Sequence, residues 1–171
     1  YAREIMQLFS IGLYELNNNG TRKLDANGHF IPTYDNSDIR EFAKIFTGFG
    51  SGVAGASWGT EDLEESPNEN ALAPMKMYEV WHQQGEKKLL NGQVVPAGQT
   101  GMQDFNDAID NLYNHPNTGP FISRALIQFL VHANPSPAYI DRVATVFNDN
   151  GQGVRGDLAA VTKAILLDEE A

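Results

Sequence analysis

One stretch constrains this chain more than any other. Phe121, Ile122, Ala125, Leu126, Phe129 and Leu130 recur at helical spacing, with Arg124, Gln128 and His132 as a single polar stripe. A helix this apolar needs other helices around it, because a lone stripe cannot bury so much surface. Pro120 is tolerated in its first turn, and Asn117 or Thr118 is its expected cap. The neighbouring segments supply partners. Ser136-Pro137 predicts an N-cap and first turn, followed by Tyr139, Ile140, Val143, Val146 and Phe147 on an inward face. Asn150-Gly151-Gln152-Gly153 breaks that helix, and another from about Arg155 carries Leu158, Val161, Ile165 and Leu166.

The same period appears earlier. Tyr1, Ile5, Leu8 and Phe9 predict a helix over residues 1–11 that stops at Gly12. Asp35 is an expected N-cap for Ile39, Phe42, Ile45 and Phe46, closed by Gly48. Thr100 and Gln103 have capping-box spacing ahead of Phe105, Ile109 and Leu112. Strand signals are few. Asn17–Gly20 reads as a turn. Asp25-Ala26-Asn27-Gly28 predicts a hairpin turn between residues 22–24 and 29–31, ended or confined to an edge by Pro32. Residues 75–82 and 87–95 read as two strands joined through 83–86. Residues 49–74 read as a long Gly-, Ser- and acid-rich loop or insertion. The prediction is therefore mainly α: about six helices packed around a central apolar helix, with one or two small β-hairpins, as one helical domain over 1–171.

Composition removes several functions. Twelve basic against 22 acidic side chains give a net charge of −10, the opposite of what a phosphate backbone requires, so no nucleic-acid partner is expected. No apolar run approaches the roughly 20 residues that span a bilayer, so no membrane insertion is expected. With no cysteine there is no thiolate nucleophile and no Cys-rich metal site, and absence of Cys is compatible with export. The 171 residues begin at Tyr1 and already read as helix, which points to a piece of a longer polypeptide.

Several motif strings fail on context. Residues 50–55 match GxGxxG but do not lie between a strand and a helix. Residues 55–59 match GxSxG without the strand that holds a nucleophile elbow. Residues 148–153 have the early spacing of a calcium loop, but Ala159 stands where a bidentate Glu is required. The four histidines, His29, His82, His115 and His132, form no HExxH string. No metal and no cofactor is predicted. His115, before Pro116, fits a helix terminus where an imidazolium meets the dipole. Arg3 and Glu4, with Asp38, Arg40 and Glu41, read as a charge cluster, structural before it is functional.

The ordered strings resemble one family. Residues 1–12 (YAREIMQLFSIG) resemble the hallmark segment of the bacterial domain-of-unknown-function 1800 family. Asp38–Ala43 with Phe46-Thr47-Gly48, His82 with Gly85, Lys87 and Leu89-Leu90, and His115–Thr118 with Phe121–Arg124 look like its later motifs. Residues 134–139 and 153–158 complete the series. Gln83 stands where that pattern often has Asp after the histidine. The resemblance implies a C-terminal portion of a longer exported protein, periplasmic or extracellular, and transfers no activity. Two functions are carried forward. One is a helical binding or assembly module whose partners are the missing N-terminal part of its own chain, a cell-envelope or glycan ligand, or a second copy. The other is a hydrolase-type enzyme whose site is shared with that N-terminal part. Its catalytic candidates are Glu4, Arg40, His82 and Arg124, which are expected to face a common pocket.

Overall fold

The computed structural model describes residues 1–50, 52 and 74–171. Among these are six helices and two small two-stranded antiparallel sheets, so the fold is mainly α. The chain divides into two compact units. The first comprises Tyr1, Arg3–Asn36 and Asp110–Ala171, and the second Ala2 and Ser37–Ile109.

The core of the first unit is a three-helix stack. Helices α4 (Thr118–Leu130), α5 (Pro137–Asn148) and α6 (Leu158–Leu166) run in sequence, and α5 packs on both of the others. Ile127, Tyr139, Ile140, Val143, Phe147, Val161 and Ile165 are buried there. The caps explain the boundaries. Ser136 Oγ accepts from Tyr139 N at 3.1 Å, with Pro137 in the first turn. Asp157 accepts from the amides of Ala159 and Ala160, so the last helix starts at Leu158, later than Arg155.

The middle position belongs to α5, not to the more apolar α4. Phe129 is 86% exposed and Leu130 43%, while α4 buries the small residues Thr118, Gly119, Pro120 and Ser123 together with Ile127. High apolar content marks a helix with two faces to cover; it does not say that both are covered within this segment.

The N-terminal part of this unit is less regular than the sequence predicts. Helix α1 spans only Ala2–Gln7, and the chain leaves it through Ile11 and Gly12, whose amides both bond the Met6 carbonyl. Gly12 has φ +71°, and a Cβ there would lie 2.9 Å from Phe121 Cε2, so position and neighbour both require glycine. Residues 14–32 form a bridged meander, with Tyr14 opposite Pro32, Leu16 opposite Arg22 and Leu24 opposite Phe30. The predicted turn at Asp25–Gly28 closes it, Asp25 Oδ1 accepting from Asn27 N and His29 N.

In the second unit, α2 (Asn36–Ile45) directly follows Asp35 and buries Phe42 and Ile45. Helix α3 (Gly101–Tyr113) begins with the predicted capping box: Thr100 N donates to Gln103 Oε1 at 2.9 Å, and Gln103 N to Thr100 Oγ1 at 3.3 Å. The strands differ from prediction. Residues 75–82 and 87–95 do not pair with each other. Strand β1 (Phe49–Gly50) pairs with β2 (Lys76–Met77), and β3 (Lys87–Lys88) with β4 (Val94–Val95). Asn91 (φ 59°) and Gly92 (φ 74°) turn the chain back on itself inside the segment read as one strand. A single 3-10 turn over Glu79–Trp81 likewise ends β2 early. Phe49 and Gly50 are thus strand and not loop, and Gly50 follows a strand residue. Apart from Gly52 and Pro74, the rest of the predicted 49–74 loop, including most of the 50–55 string and all of the 55–59 string, lies outside the described residues.

Candidate functional site

Among the described residues, two arrangements hold sequence-predicted candidates, one in each unit: His82 in the second and Arg124 in the first. In the second unit, the 3-10 turn and the strand after it deliver His82 and Lys87 to Asp104 on α3. His82 Nε2 lies 3.0 Å from Asp104 Oδ2, and its Nδ1 lies 2.9 Å from the Thr47 carbonyl. Lys87 Nζ donates to the Gly85 carbonyl at 3.0 Å and, in a very close contact, to the same Asp104 oxygen. The side chains are 0%, 1% and 1% exposed for His82, Asp104 and Lys87. The segment is also tied by Glu79, whose carboxylate accepts from Gly101 N at the start of α3.

A His–carboxylate pair is the raw material of general-base catalysis, but a base must reach the proton it removes. Here both ring nitrogens are engaged and the whole group is sealed from solvent. The three side chains are mutually paired through Asp104 Oδ2 and tied to backbone carbonyls, while Asp104 Oδ1 is buried without a partner, so the cluster is only partly satisfied. The chemistry open to them as they stand is fastening α3 to the 79–88 segment. Asp104 is not singled out in the sequence reading, and Lys87 enters it only within the family-like string around His82. The available signal was a basic and an acidic residue at positions whose flanking neighbours, Leu89 and Ala108 among them, are core.

Of the other candidates, Arg40 belongs to the second unit and Glu4 and Arg124 to the first. Arg40 stands exposed on α2 and is not among the partners of the sealed His82. Glu41 beside it bonds Lys44 Nζ at 2.5 Å and accepts from Lys88 N, and the Lys44 hydrogen bond holds its carboxyl below the usual range. Glu4 and Arg3 are exposed in the first unit. Of the four catalytic candidates, Arg124 lines a cavity in that unit whose lining does not include Glu4.

That cavity is part of the second arrangement. It measures about 470 Å³ and lies against α4, walled by Leu8, Leu13, Tyr14, Leu16, Phe121 and Ala125. A second, of about 440 Å³, is walled by Phe30, Pro135, Pro137 and Ile140 with Asn19 and Thr21. Arg22 and Arg124 line both, so the two cavities adjoin at these two residues as lobes of one groove. No acidic side chain lines either lobe. Arg22 is held by rings: its guanidinium lies 4.7 Å from the Tyr14 centroid and 4.8 Å from that of Phe30.

The groove wall is set by one buried side chain. Asn117 precedes α4, but its own φ and ψ are helical and its side chain makes no cap bond. Instead Nδ2 donates to the carbonyls of Ile11 and Tyr14, both at 2.8 Å, and Oδ1 accepts from Leu16 N at 2.8 Å. His115 next to it is buried, and burial pushes its pKa down. Its Nδ1 accepts from Asn117 N at 3.1 Å, which fixes a neutral ring. The imidazolium predicted at this helix terminus is therefore corrected: desolvation outweighs the helix dipole.

The model of the family described as "Protein of unknown function (DUF1800)" matches residues 1–171. The chain belongs to the DUF1800 family. No curated protein and no solved structure matches it. Among the described residues of this DUF1800 chain, no helix is long and apolar enough to cross a membrane.

Proposed function

We propose that this segment is a helical binding module of an exported bacterial protein, acting in the periplasm or outside the cell. The carrying observation is the groove of the first unit. In a chain of net charge −10, it gathers two guanidiniums and no acid. Neither Arg22 nor Arg124 has a hydrogen-bonded or ion-paired acid among the described residues. Cations gathered without counter-charges favour an anionic ligand, and apolar walls on both sides favour one with apolar parts. Glu15, the nearest acid in sequence to this wall, is already committed to Lys23 at 3.2 Å. The hydrolase reading draws on the His82–Asp104 pair, and the burial of that pair weighs against it.

The test is an NMR titration of the 171-residue chain with acidic, neutral and basic peptides, glycans and cell-wall fragments. Anionic probes are expected to shift Arg22, Arg124 and Phe121 resonances. If no probe shifts any groove residue, the binding-module reading fails.

A further inference from the structure

The two-lobed shape of the groove limits what its ligand can be. We propose that its occupant is an extended peptide segment carrying one acidic side chain between apolar ones. This inference rests on the binding-module reading and narrows it to a ligand class.

Three observations lead there. First, Arg22 and Arg124 line both lobes, so a carboxylate at their junction meets both cations. Guanidinium forks match a carboxylate through paired N–H donors. The ligand must then continue in two directions from its charge, as a side chain on a linear backbone does. Second, both lobes offer aliphatic, aromatic and proline walls suited to side chains of ordinary size: Leu8, Leu13 and Phe121 in one, Phe30, Pro135 and Pro137 in the other. Third, the first lobe carries two carboxamides, Gln7 and Gln128. Gln128 Nε2 donates to the Ala133 carbonyl at 3.0 Å, which orients the side chain and leaves its Oε1 to accept a peptide N–H.

Other anions fit less well. An acidic sugar chain gains from open ring faces and little from aliphatic walls, and here Arg22 already covers one face each of Tyr14 and Phe30 while Leu8, Leu13, Pro135 and Pro137 make up much of the lining. A nucleic acid meets a net charge of −10. A small inorganic anion leaves both apolar lobes empty.

The experiment titrates the full chain with the blocked peptide Gly-Ala-Leu-Val-Glu-Val-Leu-Ala-Gly, its Gln counterpart, sodium oligogalacturonate and inorganic phosphate. Affinity is read by calorimetry and contact by the Arg Nε–H resonances. The Glu peptide is expected to bind about tenfold more tightly than the Gln peptide, and Arg124→Gln to remove most of that difference. Arg124 is exposed and free of protein partners among the described residues, so this variant keeps its fold; Arg40→Gln, in the second unit, serves as the control and leaves affinity unchanged. Equal binding of Glu and Gln peptides overturns the inference, as does an unchanged preference in Arg124→Gln. Binding of oligogalacturonate or phosphate with none of the peptide overturns the peptide class while the binding-module reading stands. No binding by any probe overturns both.

Discussion

Replacing Asn117 with alanine tests the groove and its support together. Asn117 is 1% exposed and makes three hydrogen bonds to backbone groups between Ile11 and Leu16. Truncation leaves two carbonyls and one amide without partners. Each orphaned buried polar group costs about 1–3 kcal/mol, less where water can enter. Ile11 is fully buried, while Tyr14 and Leu16 are half-buried, so the first bears the full penalty and the others a part. The expected loss is about 3 kcal/mol, a large share of the ~5–15 kcal/mol that stabilises a typical domain. The assay is urea unfolding with amide exchange read at Leu16, whose N–H donates directly to Asn117. Protection there is expected to collapse, and peptide affinity with it. Asn117→Asp discriminates further. Its second oxygen faces two carbonyls where Nδ2 donated, so at neutral pH this variant is expected to be less stable than the alanine one. A loss below about 1 kcal/mol for alanine, or a milder effect of aspartate, refutes the reasoning.

Two more predictions follow from buried titratable groups. Asp104→Ala strands the Lys87 ammonium and the His82 ring, and is expected to destabilise the second unit by about 3–5 kcal/mol in denaturant unfolding; a loss near zero means that the cluster is hydrated in solution. The folded-state pKa of His115 lies below its ordinary value of 6.5, so its contribution to stability is present above that pH and lost as pH falls towards the folded value. His115→Gln is therefore expected to flatten the decline of stability below pH 6.5, and an identical slope in both proteins sinks the assignment.

The helices were legible because their punctuation is local. Ser136-Pro137, Asp157 and the Thr100/Gln103 box each act within one turn of the residues they cap, so spacing alone reveals them. The strands were misread where a local signal was passed over: Asn91-Gly92 is a hairpin turn inside an otherwise strand-like run, and it sends 87–88 onto 94–95. Asn117 failed differently. Its place before Thr118-Gly119-Pro120 is that of a cap, and nothing in the neighbouring residues says that its amide will serve a segment far away in sequence. The groove has the same character, since Arg22 and Arg124 share no spacing relation. Arg124 was a candidate through its place in the family-like string 121–124, and Arg22 had no signal at all. His82 was a catalytic candidate, but whether a histidine is sealed or open depends on packing.

The division of the chain has a consequence for biosynthesis. The bonds of Asn117 to Leu16, Tyr14 and Ile11 span 101, 103 and 106 residues, whereas Asp104 reaches Lys87 and His82 across 17 and 22. At ordinary rates of translation the first 16 residues wait about 5–20 s before their partner emerges, while the second unit has closed its own contacts. During that interval the backbone groups of Ile11, Tyr14 and Leu16 lack the side chain that satisfies them in the folded unit. The first unit is therefore expected to be completed after the second during synthesis, so translation arrested between residues 104 and 117 leaves a closed sealed cluster beside an unfinished groove wall.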